Sequence, residues 1–430
     1  MQAATITPAL AQDGAPARRR AAALPQAGAE ALRPGAALNA LLEAAQSRSP
    51  TIRAAELRIA AAQGELRQAG VYPNPELSVD AENIGGSGPY RGTRSLETTV
   101  GVAQLLEVNG ARTARIGSAQ AGLEVARREL EVARLELKRD ITIGYAAFVT
   151  ATRNAEVERE RLRLAGEVVR ATQARMTAGR DPLVELRRAE VAQASARIAI
   201  ERAEREIDSA RRALATLLGV PTIDVAADNA WFETIGPAPG AIAPPAAGSS
   251  PDLARQQAEV ARVRAALSAE RANALPNPTL RAGVRQFQDS RDTAAVVGLS
   301  LPIPVFDRNR GAIERAGSDL ARAEAEAQQA ALALTASLTD AVRRLDLAWR
   351  EVESTRRVVL PAAREAQALA REGYAAGRFS LLEALDAQRT FTEARLQLNA
   401  ALNDVHARRA EVERLAGRLP PRDQRQGDPR

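Results

Sequence analysis

The stretch "VYPNPELSVDA" (residues 71–81) is answered by "ALPNPTLRAGV" (residues 274–284), so that a Pro-Asn-Pro step recurs 203 residues later. On both occasions a long Ala- and Arg-rich helical pattern stops and an alternating pattern begins. Proline has no N–H to give a helix, and it disfavours helix at the residue before it. Pro-Asn-Pro is therefore a joint at which helix hands over to strand.

The alternation beyond each joint has one apolar and one polar or small face. Leu77, Val79 and Ala81 alternate with Ser78, Asp80 and Glu82, and Thr98, Val100 and Val102 alternate with Thr99, Gly101 and Ala103. In the second half Leu280, Ala282 and Val284 alternate with Arg281, Gly283 and Arg285, and Val297, Leu299 and Leu301 with Gly298 and Ser300. Strands are expected at about 74–84, 95–106, 277–288 and 293–303. Each has roughly the 9–12 residues a tilted strand needs to cross a hydrocarbon layer. The alternative is two ordinary hairpins half-buried on a soluble domain. Four strands cannot close a barrel alone, and lipid does not tolerate open sheet edges. Closure therefore demands several protomers.

Further landmarks repeat in the same order. "TAGRDPLVELRRAEV" (177–191) is answered by "AAGRFSLLEALDAQR" (375–389), and "LLG" ending at Gly219 by "LAG" ending at Gly417. The chain reads as a tandem repeat, 37–219 and 251–417, each a long helical hairpin with a strand pair. Between them lies a Pro/Gly/Ala segment, 220–250, anchored by Trp231 and Phe232. Residues 1–36 and 418–430 read as disordered. Within the former, the Ala9-Leu10-Ala11 step before Gln12 reads either as the remnant of a signal-peptide cleavage site or as part of an Ala-rich tail.

Helices dominate the expectation: one from about 37 to 70, one from 111 to about 175, one from 251 to 274, and one from 312 to 376 that Pro361 should break or kink. Leu123, Leu130 and Leu137 recur every seven residues with Ala126 and Ala133 between them, a coiled-coil seam. Aromatics make up only 3% of the 430 residues, too few to fill a thick core. The net charge of +6 comes with 59 basic residues that alternate with acids along helices, a salt-bridged surface rather than a nucleic-acid patch. There is no Cys, one His and two Met, so the chain cannot build a discriminating soft-metal site. No phosphate loop, catalytic triad pattern or clustered metal motif is present, and no enzyme or cofactor is read. The single histidine, His406, lies late in a helix and suggests no ligand role.

"YPNPELSVDAENIGG", "VAQLLEVNGART" and "GYAAGRFSLLEALDAQRTFTEARLQL" resemble the TolC-like outer-membrane efflux channel family, and within it the heavy-metal (CzcC-like) branch. The resemblance covers roughly 37–418. It implies a homotrimer in which each copy gives four strands to a twelve-stranded outer-membrane β-barrel, set on an α-helical barrel in the periplasm. The 220–250 segment would lie in an equatorial belt. The helical tips would meet a periplasmic adaptor joined to a proton-driven inner-membrane pump, leaving this chain as a passive exit duct for metal cations or small toxic compounds. The alternative is a periplasmic coiled-coil scaffold or adaptor without a membrane barrel.

The resemblance also distributes roles. Taken alone, Glu383 and Asp386 read as a solvated face of an Arg-rich helix. In the family these positions form the acidic ring of the periplasmic gate, which threefold symmetry would turn into two rings of carboxylates, some with raised pKa values. Glu185 matches the acid that holds the tip closed and Tyr374 its aromatic partner, whereas the gating Arg of the family falls on Phe379. At the tips Gly179 and Gly377 supply turn conformations, with Arg180 and Arg378 beside them. Leu381 and Leu382, with Leu183 and Val184 opposite, read as core or as an adaptor-docking surface, with docking preferred. Tyr72, Tyr90, Phe287 and Phe306 flank the strands as candidate interfacial aromatics, Phe287 alternatively as an ordinary loop residue.

Overall fold

The computed structural model describes residues 38–238 and 250–417. The leader-like step at Ala9–Ala11, part of the inter-repeat segment and the tail lie outside the described residues.

The chain begins with two helices, α1 (Leu38–Arg48) and α2 (Pro50–Ala69), where the sequence suggested one. The cause is Pro50, which sits in the first turn of α2 behind an extended Ser49. A proline's missing donor is harmless there but not in a helix interior. After the first Pro-Asn-Pro come β1 (Glu76–Glu82), β2 (Glu97–Leu105), α3 (Ala111–Thr177) and α4 (Leu183–Leu218). A short α5 (Asn229–Glu233) interrupts the inter-repeat segment. The plan then repeats with α6 (Pro251–Asn273), β3 (Thr279–Phe287), β4 (Thr293–Ser300), α7 (Arg310–Ser354), α8 (Leu360–Ala375) and α9 (Leu381–Ala416).

At 67 residues α3 is about 100 Å long, given 1.5 Å per residue. Its counterpart is not broken at Pro361. Instead α7 and α8 join through one π-helical turn, Thr355–Val359, immediately before the proline. That wider turn accommodates a ring that would clash with the carbonyl four residues back. Leu123, Ala126, Leu130 and Leu137 are all buried, as the seven-residue spacing requires.

The four strands form one antiparallel sheet in the order β1-β2-β3-β4, so the two hairpins lie side by side and β1 and β4 are its edges. Between joint and helix, polar side chains replace the missing ladder. Asn277 Oδ1 accepts from the backbone N–H groups of Val108 (3.0 Å) and Asn109 (3.2 Å), and Asn109 Nδ2 donates to the carbonyls of Ala272 and Leu275 at the end of α6.

The main core lies midway along the bundle, where α5 is pinned against α3 and α9. Phe232 is fully buried, and Tyr145 Oη on α3 bonds both the Ala226 carbonyl and the Asp228 N–H. Trp231 stacks on His406 at 4.2 Å, and His406 Nε2 bonds the Phe232 carbonyl at 2.8 Å. Burial pushes the His406 pKa down. This histidine is a packing element that ties α9 to α5.

Candidate functional site

Two surfaces carry the chemistry, one at each end. The first is the sheet. Its register places Leu77, Val102, Ala282 and Val297 in one row across all four strands, and Val79, Val100, Val284 and Ala295 in the next. All the large residues of this face are exposed: Val297 is 76% accessible, Leu77 73% and Val79 65%. An apolar face this broad is foreign to a water-exposed surface.

The opposite face reads Asp80, Thr99, Arg285 in one row and Ser78, Gly101, Gly283 in the next. Arg285 ties three strands together there, pairing with Glu82 (2.9 Å) and Glu97 (2.8 Å) and donating to Thr99 Oγ1. Gly283 is demanded by close approach, since a Cβ would stand 2.6 Å from the Val100 carbonyl oxygen. Tyr72, Tyr90 and Phe306 flank the strands in exposed positions. Phe287 ends β3 opposite Glu97 and so belongs to the polar face, which removes it from the interfacial aromatics. Among the described residues no helix is long and apolar enough to cross a membrane.

The second surface is the pair of helical tips. Gly179 and Gly377 turn the chain with φ of 70° and 73°, values open to glycine at little cost. Beyond that shared turn the tips differ. In the first, Arg175 closes the loop by a two-pronged ion pair with Asp181, at 2.8 and 3.0 Å. The same guanidinium reaches the second tip, lying 5.1 Å from the centre of the Tyr374 ring and donating to the Tyr374 carbonyl. Tyr374 Oη bonds Thr172 Oγ1 on α3 at 3.1 Å. Arg175 was not among the residues read from the sequence. The available signal was an Arg and an Asp six apart astride a glycine turn.

In the second tip Ser380 and Glu383 form a capping box: Glu383 Oε2 accepts from the Ser380 N–H at 2.7 Å, and the Glu383 N–H donates to Ser380 Oγ. Those bonds hold the Glu383 carboxyl below its ordinary pKa. Within the protomer the shift thus runs opposite to the rise expected of crowded carboxylates, because Glu383 answers first to the N-terminus of its own helix. Asp386 is exposed and 3.5 Å from Arg389. Glu185 pairs with Arg188 at 3.0 Å, while its Oε2 is buried without a hydrogen-bond partner. The structure therefore joins Tyr374 to Arg175 and Thr172 rather than to Glu185. Phe379 lies over Gly373, where any Cβ would fall inside its ring.

The aliphatic residues at the tips divide. Leu183, Val184 and Leu382 are more than half exposed, as is consistent with docking, but Leu381 is only 3% accessible. Leu381 is a core residue, because it opens α9 on the side that packs against its own hairpin. It is withdrawn from the docking surface. Arg180 and Arg378 are exposed beside the turns.

The model of the outer membrane efflux protein family matches residues 41–220 and 244–418. The chain belongs to that family. It is the outer-membrane component of a tripartite efflux system, with its helices on the periplasmic side. This efflux family is a family of transport components, not of enzymes. The cobalt-zinc-cadmium resistance protein CzcC of Cupriavidus metallidurans is 28% identical over 89% of this chain and 90% of its own length. The solved structure of CusC, a protein described as forming a transmembrane channel, superposes with a TM-score of 0.74 at 18% identity, over 88% of this chain and 91% of that one. VceC, an outer membrane protein of Vibrio cholerae, gives 0.71 at 20% identity over 88% and 96%. At those identities the two structures speak to the fold alone.

Proposed function

We propose that three copies join edge to edge into one twelve-stranded barrel whose apolar face meets lipid, and that the protein is a passive exit duct for divalent metal cations. The observation that supports this is the sheet itself, apolar and exposed on one face, polar on the other, with two unpaired edges that only further copies can close in lipid. The metal reading follows from the likeness to CzcC. Among the described residues no group of three metal-ligating side chains occurs, so cargo is selected upstream, by an adaptor and a proton-driven inner-membrane pump.

In this reading Leu183, Val184 and Leu382, flanked by Arg180 and Arg378, are the adaptor's docking surface. Asp at Leu183 and Leu382 together should leave assembly intact and abolish efflux-dependent resistance, whereas an unchanged adaptor crosslink would refute the docking. Glu383 and Asp386 of three copies line the periplasmic entrance, with Glu185 and Tyr374 in its closed form. Their charge concentrates cations at the mouth.

The test is a recording of single channels in planar bilayers. The wild-type protein should conduct with cation preference, and the double variant E383Q/D386N should conduct without it. Gln can still accept the Ser380 N–H, so the variant removes charge without removing the cap. A purified protein that stays soluble and gives no conductance would favour a coiled-coil scaffold and sink the channel.

A further inference from the structure

The two Pro-Asn-Pro joints hold the same place in the fold: Asn74 and Asn277 each stand two residues before a strand, β1 or β3. Asn277 is half-buried, and its side chain caps the segment leaving β2, the strand beside β3. The Leu106 N–H donates to the Pro278 carbonyl in the same seam at 2.9 Å. Asn74 is exposed and has no hydrogen-bond partner among the described residues. What differs is that β1 is a sheet edge, so no exiting segment runs beside it.

The matching segment does exist, at the far edge, where the chain leaves β4. Val108 and Asn109 immediately precede the left-handed Gly110 that opens α3, with φ of 83°. Asp307 and Arg308 immediately precede the left-handed Asn309 that opens α7, with φ of 54°. No hydrogen bond is made by the Asp307 or Arg308 N–H among the described residues. The approach to them bears bare apolar side chains, with Ile303 80%, Val305 59% and Phe306 100% accessible. Across the sheet, Val71 (51%) and Tyr72 (61%) stand exposed beside Asn74, one face of the Tyr72 ring carrying the Arg112 guanidinium at 4.3 Å. Since β1 and β4 are opposite edges of one sheet, a single protomer cannot bring the two sides together.

We infer that Asn74 is a cap between copies, its Oδ1 accepting the Asp307 and Arg308 N–H groups of a neighbouring copy as Asn277 accepts those of Val108 and Asn109 within the chain. The seam closed by Asn277 inside the protomer is then repeated by Asn74 at each boundary of the ring. Val71 and Tyr72 meet Ile303, Val305 and Phe306 beside it. This rests on the ring of copies proposed above and names the residue that fastens it.

The absence of cysteine makes the test clean. The variant N74C/R308C, expressed in the outer membrane and treated with an oxidant or a short bis-maleimide, should give covalent dimers and trimers. The variant V108C/N277C should give only an intramolecular bridge. In parallel, N74A should lower the temperature at which the assembled protein dissociates in detergent, and N74D, which keeps the acceptor, should restore it. A wild-type-like trimer without the cross-copy bridge, or with dissociation unmoved by N74A, would overturn the assignment of Asn74 alone. A wild-type chain that runs as a monomer would overturn the ring and this cap together.

Discussion

The two helical tips, one in each half of the chain, share a turn, yet they are closed by different forces. The first is an ionic latch, Arg175 on Asp181, with no side-chain cap at Pro182. The second is a capping box, Ser380 with Glu383, and an aromatic ring laid on Gly373. Because Arg175 also holds the Tyr374 ring and carbonyl, the clasp of the first tip is shared with the second. Two stretches of like sequence can thus keep one backbone turn and close it differently, one by an ion pair and the other by a capping box.

Breaking the clasp should have the largest effect on this comparison. Asp181 is mostly buried and Arg175 partly exposed, so R175A should lower the local opening free energy by about 2 kcal/mol, between the values for charged hydrogen bonds and for surface pairs. Amide hydrogen exchange should accelerate at both tips, 178–183 and 375–381. Acceleration confined to the first tip would show that the tips are independent.

S380A should cost about 1 kcal/mol, the usual loss for an N-cap, and should fray only the first turn of α9. Exchange at 178–183 should stay as in the wild type. G373A pushes the Phe379 ring aside, and should cost at most about 1 kcal/mol because that ring is half exposed and can swing out. The double variant G373A/F379A should recover the loss, measured by thermal unfolding.

The smallest effect is that of pH. The Glu383 carboxyl has a folded pKa below its unfolded one, so its contribution is present above the unfolded value and is lost as pH falls through the folded one. Exchange in the first turn of α9 should rise on acidification below the ordinary carboxylate range, and E383Q should show no such step. Equal pH dependence in both proteins would remove Glu383 from the cap.

Much of this fold was legible because its signals are local. Pro-Asn-Pro, strict alternation and a seven-residue Leu repeat each constrain the backbone wherever they occur. Where the reading slipped, the answer depended on context. Pro50 follows an extended serine and opens a helix instead of sitting inside one, a start signal that a single long periodic pattern masked. Pro361 meets a π turn, which no residue type announces. Leu381 and Leu382 are neighbours about 100° apart around a helix, and only the packed partner decides which turns inward. The Arg175–Asp181 clasp needs the turn geometry before two charges six residues apart are known to meet. Glu383 was read as one of two acids sharing a helix face, whereas Ser380 three residues before it was the sign of a capping box.

The central claim is that one face of the sheet lies in lipid, and adjacent residues of β1 test it most directly. Val79 belongs to the apolar face and Ser78 to the polar one, near the middle of the strand. V79R should cost about 2 to 4 kcal/mol per copy if it stands near the bilayer midplane, and heat-resistant trimer in the outer membrane should be largely lost. S78R, facing the polar interior, should assemble at close to the wild-type level. Equal yields of assembled trimer from V79R and S78R would contradict the account.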